Sequence, residues 1–316
     1  MRSALWTTLQ RTESTDMSDL LIRRRNLLIR KQEEEMNIRA VCFKADGEQT
    51  VTIVKVGVTT SKVFEYSYDG VTWESWDLTP LPFGGPTKVY VRGYNKTLSF
   101  DSSHYEYFSF STDAYVYVSG IVESLLDGDN EVLALGTQGI LRQLFYQQTA
   151  LRSAENLRFE AQSTPENIVS VYALMFDGCT NLLYAPKVLP ANDFKGSYNY
   201  QYMFRNCKSL ITAPELPATA LGSGCYQYMF YGCTSLVNAP KLPATTLTPK
   251  GYQYMFYGCT SLKSIRCRAK FKSTYTTYFW LDKVSASGTF YGYSEYGWSS
   301  GASGIPSGWT FEELTD

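Results

Sequence analysis

The clearest copy of a repeated frame is YQYMFYGCTSLVNAP, at residues 226–240. Two earlier copies are YALMFDGCTNLLYAP (172–186) and YQYMFRNCKSLITAP (200–214), and YQYMFYGCTSLKSIR (252–266) follows. The methionine of the Met-Phe pair stands at 175, 203, 229 and 255, so the offsets are 28, 26 and 26 residues. A fixed period of this length is typical of repeat architectures, in which neighbouring units stack.

A single unit cannot bury its own Phe, Leu and Met side chains, whereas stacked units share one core. We therefore expect a solenoid whose unit has a short helical turn, a tight Gly turn and a short strand. Proline fits at the corners, where the chain leaves the backbone ladder. The predicted structural core of the repeats comprises Phe176, Phe204, Phe230, Phe256, Cys179, Cys207, Cys233 and Cys259.

Four of the seven cysteines lie in the repeat register. A metal ladder and disulfides are the functional alternatives, but zinc sites use close Cys pairs with further ligands. Cysteine as a small buried apolar residue fits the wide spacing better. We therefore expect no metal and no cofactor.

The repeats also place glutamines between tyrosines in register. Residues 203–272 carry nine Lys and Arg but only one acid, Glu215. A basic face lined with tyrosine suits an anionic polysaccharide or a protein. The alternative is an ordinary solvated flank with inward tyrosines. The candidate ligand-binding face comprises Tyr202, Gln201, Tyr228, Gln227, Tyr254 and Gln253.

Residues 37–121 change to a period of two, with runs such as QTVTIVKVGV and AYVYVSGIV. Turn residues separate the runs, and Asp69-Gly70 between Tyr-rich runs is a strong hairpin signature. This pattern predicts a small antiparallel sandwich or barrel. Its tyrosines either form a sugar-stacking face or are half-buried sheet residues. They are Tyr66, Tyr68, Tyr105, Tyr107, Tyr115 and Tyr117.

Residues 17–35 are rich in helix formers and contain neither Pro nor Gly, which predicts an N-terminal helix. Five cations and no acid lie within residues 22–31. The helix is either an anchor on an acidic partner or membrane surface, an oligomerising coil, or a cap on the first domain. The candidate attachment residues are Arg23, Arg24, Arg25, Leu27 and Leu28.

The repeat frames resemble the BspA-like leucine-rich repeats of Bacteroidetes surface proteins. The segments Phe279-Trp280-Leu281 and VSASGTF (284–290) resemble the closing element of such arrays, and EYSYDGVTWESWD resembles the β-domain that often precedes them. The resemblance covers roughly residues 40–316. It implies an antiparallel β-sandwich domain followed by a leucine-rich-repeat solenoid. With the N-terminal helix predicted from residues 17–35, we expect a mainly β chain with short helices.

Four domains follow from these patterns. They are an N-terminal helical attachment segment (1–36), an antiparallel β-sandwich (37–130), the BspA-like repeat solenoid (131–275) and a C-terminal capping segment (276–316).

The composition excludes several functions. A formal charge of -1 argues against nucleic-acid binding. No apolar run reaches the roughly 18 residues of a membrane helix. The single histidine, His104, lies beside Asp101 and Ser103, but a catalytic triad needs side chains that converge from separate elements. We therefore expect a protein that is not an enzyme.

The family includes adhesins and phage structural proteins, and its surface members usually carry an export signal that we do not find here. We therefore expect a virion surface protein (fibre or decoration) of a phage of Bacteroidetes, assembled in the bacterial cytoplasm. It would contact other virion proteins through the N-terminal helix and a host surface protein or polysaccharide through the repeats, as a homo-oligomer. The alternative is a BspA-type adhesin on the bacterial cell surface.

Overall fold

The computed structural model describes residues 25, 38–57, 62–95, 98, 103–111, 114–128, 139–160, 168–190, 196–271 and 273–315. The chain divides into two compact units, Met1–Ile38 and Arg39–Asp316. The predicted N-terminal helix, with Arg23, Arg24, Leu27 and Leu28, lies outside the described residues. Arg25 is described and is exposed.

Twelve strands occur in the described part of Arg39–Asp316. They form a six-stranded sheet in the order β4-β3-β6-β1-β8-β9, a three-stranded sheet β5-β2-β7 and a three-stranded sheet β10-β11-β12. The strands are β1 (Val41–Ala45), β2 (Gln49–Val56), β3 (Phe64–Ser67), β4 (Glu74–Ser75), β5 (Leu81–Phe83), β6 (Val89–Gly93), β7 (Tyr105–Phe110), β8 (Val116–Ile121), β9 (Leu151–Arg158), β10 (Ser264–Arg266), β11 (Gly288–Gly292) and β12 (Trp309–Glu313).

The first two sheets share a core of alternate strand residues. Phe43 of β1 lies 4.9 Å from Phe108 and 5.4 Å from Phe110 of β7, measured between ring centroids. The pairings within these sheets are antiparallel, except that β9 joins β8 in parallel. Within the predicted sandwich range, 37–130, the described strands β1–β8 pair only antiparallel. Strand β9 lies beyond that range and extends the six-stranded sheet by pairing with β8 in parallel.

The predicted leucine-rich-repeat solenoid is wrong. The described residues contain no helix of seven or more residues. Among those of Arg39–Asp316 the helices are the 3-10 helices Val122–Leu125 and Ser294–Tyr296. The three sheets are small, and none of them runs along the repeats as a solenoid sheet would. Consecutive tight turns replace the predicted helical segment of each repeat.

The physical reason is the direction of the backbone N–H groups. Tyr200 donates to the Cys225 carbonyl (3.1 Å) and Tyr202 to the Gln227 carbonyl (3.1 Å), both in the next repeat. Met203 follows Tyr202 in the chain. Its N–H instead closes a turn onto the Tyr200 carbonyl, three residues back (3.1 Å). Alternate donors therefore leave the segment, which prevents the continuous four-residue ladder of an α-helix.

Residues with positive φ end these turns at every fourth position. In the repeat with the frame at 200–214 they are Tyr198, Tyr202 and Asn206, with φ between 59° and 60°. The equivalent positions of the next repeat are Gly224, Tyr228 and Gly232. Left-handed backbone is costly for a residue with a Cβ atom, so the stacked neighbours must stabilise Tyr202 and Tyr228.

Two buried aromatic columns run through the repeats. Phe145, Phe176, Phe204, Phe230 and Phe256 stack with centroid distances of 5.3, 5.3, 5.6 and 5.4 Å. The second column stacks in the same way and consists of Tyr172, Tyr200, Tyr226, Tyr252 and Trp280.

The first column continues into the sheets. Phe145 stacks on Phe108 of β7 at 5.8 Å, and the Phe108 N–H donates to the Leu144 carbonyl (2.9 Å). Since β9 also pairs with β8, the repeats grow directly from both sheets. The domain boundary predicted at residue 130 stays a prediction, although one core crosses it.

We predict that Phe230→Ala in the full chain lowers the free energy of unfolding by about 3–5 kcal/mol, because it empties a fully buried aromatic site. Tyr275→Ala is the control, since that side chain is 54% exposed. Chemical denaturation followed by tryptophan fluorescence measures both. An unchanged midpoint for Phe230→Ala would contradict the shared column.

Gly258 tests the left-handed positions separately. Its φ is +72°, and an added Cβ would meet no atom closer than 3.9 Å. Asn206 occupies the equivalent position two repeats earlier with a φ of 60°. We predict that Gly258→Asn is nearly neutral, whereas Gly258→Val costs about 1–2 kcal/mol of backbone strain. Equal melting temperatures of the two variants would refute this assignment.

Candidate functional site

The tyrosines of the predicted binding face form a third column. Tyr202 and Tyr228 stack at 4.8 Å with 23° between their planes, and Tyr228 and Tyr254 at 4.6 Å with 8°. Phe279 continues the column, 5.7 Å from Tyr254. All three tyrosines are half-buried. Each has left-handed backbone, which sets their side chains in the same direction.

The glutamines beside them form a row of side-chain hydrogen bonds. The Gln201 amide donates to the Gln227 carbonyl oxygen (2.6 Å), and the Gln227 amide donates to Gln253. Gln227 is only 7% exposed. This row therefore joins successive repeats. Its amide groups bond to one another, so fewer of them are free to hydrogen-bond a ligand than the tyrosine hydroxyls.

Another column of tyrosines lies alongside and is not in the predicted face. Tyr231 and Tyr257 stack at 4.9 Å with 5° between their planes. Tyr231 lies 5.7 Å from Tyr228, and Tyr257 lies 5.7 Å from Tyr254. The Lys283 ammonium group stands 4.9 Å from the centre of the Tyr257 ring. The 26-residue offset of these tyrosines was visible in the sequence.

Arg205 occupies the position equivalent to Tyr231 in the preceding repeat. Its guanidinium lies 4.5 Å from the centre of the Tyr202 ring and donates two hydrogen bonds to Asp177 (2.9 and 2.6 Å). Burial raises the pKa of Asp177, and the hydrogen bonds from Arg205 oppose that rise. The pair ties two repeats together and places a cation at one end of the Tyr202 column.

The aromatic surface extends onto β7. Tyr146 lies 6.2 Å from Tyr105 and 6.3 Å from Tyr107, with the rings edge to face. We call the whole surface the aromatic stripe. It comprises Tyr105, Tyr107, Tyr146, Tyr202, Tyr228, Tyr231, Tyr254 and Tyr257.

The hydroxyl groups of the Tyr202 column remain available to a ligand. No hydrogen bond joins those of Tyr202, Tyr228 or Tyr254 to another residue in the described part of the chain. Burial, together with the neighbouring phenols, raises the pKa of Tyr228 to about 12. These hydroxyls therefore stay protonated, and can donate hydrogen bonds, throughout the physiological pH range.

Three of the nine predicted basic residues line a pocket apart from this surface. Lys241, Arg266 and Arg268 line a pocket of about 210 Å³ with Leu314, and no stripe tyrosine lines it. Burial raises the pKa of Tyr202, and the positive charges of Arg205, Arg142 and Lys250 oppose that rise.

The four register cysteines lie fully buried behind the turns, as free thiols. Each thiol donates to a phenylalanine carbonyl of the preceding repeat, as in Cys207 to Phe176 and Cys233 to Phe204 (both 3.1 Å). Cys179 and Cys259 do the same, and burial raises the pKa of Cys259 to about 12.

Within the described ranges, no group of three or more His, Cys, Asp or Glu side chains could hold a metal ion. Nor do those ranges contain a helix long and apolar enough to span a membrane. No family model, curated protein or solved structure matches the chain.

We predict that the protein loses stability in alkali. A buried thiol whose folded pKa is raised stabilises the fold fully below the unfolded pKa of about 8.5, and this contribution falls as pH rises. The pKa of Cys225, Cys259 and Cys267 is raised to about 12. The melting temperature should therefore stay level to about pH 8 and fall between about pH 9 and 12.

Cys259→Ser is the matched variant, because serine keeps a donor for the Phe230 carbonyl but does not titrate in this range. Its melting temperature should fall less over the same interval. A wild-type melting temperature that does not change up to pH 11 would contradict buried, protonated thiols.

Proposed function

We propose that the protein is a non-enzymatic recognition protein and that the aromatic stripe is its binding surface for a ligand on a host surface. The observation that carries this proposal is the row of unpartnered hydroxyls on the stacked rings of Tyr202, Tyr228 and Tyr254. Tyrosine supplies rigid contact area together with a polar group, which is why binding surfaces are enriched in it.

Preorganisation supports the assignment. Free side chains lose rotamer freedom when they bind, whereas stacked rings have lost it on folding. Here the Tyr228 ring is held between Tyr202 and Tyr254, and the hydrogen-bonded glutamines hold the same repeats in register. Binding of a ligand to this surface would therefore cost little conformational entropy of the tyrosine side chains.

The chemistry of the stripe favours binding over catalysis. Phenols with a raised pKa are weak nucleophiles and weak bases at neutral pH. The acid beside them, Asp177, is occupied by Arg205. The expectation that the chain is not an enzyme stays a proposal.

The resemblance of the repeat frames to BspA-like proteins supports a surface setting. We place the protein on the virion of a Bacteroidetes phage, attached through residues 17–35 to other virion proteins and displayed as a homo-oligomer. Mass spectrometry of purified particles tests this placement. Recovery in bacterial outer membranes without particles would instead favour the cell-surface adhesin.

The binding surface is tested by changing Tyr202, Tyr228 and Tyr254 together to Phe. This removes three hydroxyls and keeps the stack, so the melting temperature should stay the same while binding of labelled protein to host cells falls by about tenfold or more. Tyr184→Phe is the control, because that side chain is 38% exposed and lies outside the stripe. Unchanged cell binding by the triple variant would exclude the stripe as the site.

A further inference from the structure

A small pocket outside the aromatic stripe is lined by basic side chains. Its volume is about 210 Å³, which is below the roughly 300–1,000 Å³ of pockets for drug-sized ligands. The cations of the lining are Lys241, Arg266 and Arg268, and the apolar part is Leu242, Pro243 and Leu314. Among the residues that the structure describes, no Asp or Glu lines it. The pocket therefore suits one small anionic group.

Backbone pairing between two repeats turns the basic side chains outward. The Leu242 N–H donates to the Arg266 carbonyl, and the Arg268 N–H donates to the Leu242 carbonyl, both at 3.0 Å. Leu242 and Cys267 pair across this bridge, and both are buried. Since successive side chains of an extended segment point to opposite faces, the neighbours Lys241, Arg266 and Arg268 lie on the outer face.

The Arg266 guanidinium is held in place without the use of its hydrogen-bond donors. It lies 4.7 Å from the centre of the Tyr291 ring, on the neighbouring strand β11. An arginine held by cation–π attraction keeps its N–H groups for a ligand. In the described part of the chain, no hydrogen bond or ion pair joins the Arg266 guanidinium or the Lys241 ammonium to another residue. Arg268 has an interaction within the protein, so we assign the ligand to Lys241 and Arg266.

Two acids limit how far a ligand can extend along the stack. Glu215 holds the position equivalent to Lys241 in the preceding repeat. On the other side, Glu312 of β12 pairs with Tyr291, which in turn pairs with Arg266. Neither acid lines the pocket. A long polyanion lying along the repeats would be repelled on both sides, whereas a single anionic group at Lys241 and Arg266 would not.

We propose that this pocket binds one phosphate or sulfate group. A tetrahedral oxyanion has acceptor oxygens in several directions, which suits donors that come from two repeats. The Arg266 fork donates to two of its oxygens, and the Lys241 ammonium supplies a point charge. The apolar wall lowers the local dielectric constant and strengthens both interactions. The group is either the free ion or the terminal ester of a larger molecule.

Isothermal titration calorimetry of the full chain tests the site at constant ionic strength. The probes are inorganic phosphate, inorganic sulfate, glycerol phosphate and acetate. We expect phosphate or sulfate to bind about tenfold or more tightly than acetate, because a tetrahedral dianion accepts more charge-assisted hydrogen bonds. Tighter binding of glycerol phosphate than of inorganic phosphate identifies a terminal ester as the ligand, and equal or weaker binding identifies the free ion. No binding of any phosphate or sulfate probe, or equal binding of acetate, would overturn the proposal.

Two double variants separate this pocket from net charge. Lys241→Gln with Arg266→Gln should weaken binding of the tightest probe by about tenfold or more, because both cations of the site are lost. Lys208→Gln with Lys263→Gln removes the same charge from exposed lysines that do not line the pocket. This control should change the affinity by less than about twofold, since screening weakens distant charges. Equal losses in the two variants would exclude the pocket as the site.

Arg266→Lys keeps the charge of the pocket and removes the two-pronged donor, so it tests the site even if the double variant is unstable. We expect the affinity to fall about threefold or more, with an unchanged near-UV circular dichroism spectrum. Binding as tight as that of the wild type would show that Arg266 does not hold the anion. Because the pocket lies outside the aromatic stripe, failure here leaves the proposed function unaffected.

Discussion

The structure depends on the alternating direction of backbone N–H groups in the turn segment of each repeat. Tyr200 and Tyr202 donate to carbonyls of the next repeat, while Met203 closes a local turn. Backbone hydrogen bonding between neighbouring chain segments sets a spacing near 4.8 Å. Side chains at equivalent positions must then stack, and the ring distances of 4.6 to 6.2 Å in the columns follow from this spacing. A residue that suits one repeat therefore suits the next, which explains why the frame recurs.

The same constraint creates the candidate site. Inward positions of the frame produce the phenylalanine column and the buried thiols, and outward positions produce the stripe. Left-handed backbone at Tyr202, Tyr228 and Tyr254 turns these side chains outward, at an energetic cost that the buried columns offset. Two opposite charges, Asp177 and Arg205, occupy the position that holds Tyr146 in the repeat before them and Tyr231 in the repeat after them. The stripe is thus ordered by the same stacking of repeats that orders the core.

The sequence predicts the register of the repeats well, because the Met-Phe offsets leave little freedom, and it points to the tyrosines at 202, 228 and 254. It does not predict the turns. The segment YQYMFYGC has the composition of a short helix, and whether Met203 and Phe204 bond within their repeat or to the next one depends on stacking, which local propensity does not contain. Strand β9 was missed for a similar reason, since its partner β8 lies beyond a linking segment and runs parallel. Tyr231 and Tyr257 were missed although their offset matches the period. The equivalent positions of the two preceding repeats hold Asp177 and Arg205, so the sequence does not show a tyrosine in every repeat.

The buried columns stabilise the repeats, while the outward positions determine the chemistry of the surface. The outward residues can therefore vary without loss of the fold. The position of Asp177, Arg205, Tyr231 and Tyr257 holds an acid, a cation and two aromatic residues in successive repeats, whereas the buried phenylalanine position does not change. Burial and stacking of Phe204 and Phe230 stabilise the repeats whatever the outward residue is. Only interactions between adjacent repeats restrict the outward choice, as when Arg205 needs Asp177 beside it. Charge and hydroxyl groups are therefore set repeat by repeat along the stripe, and an extended ligand lying along the stack meets each of them in turn.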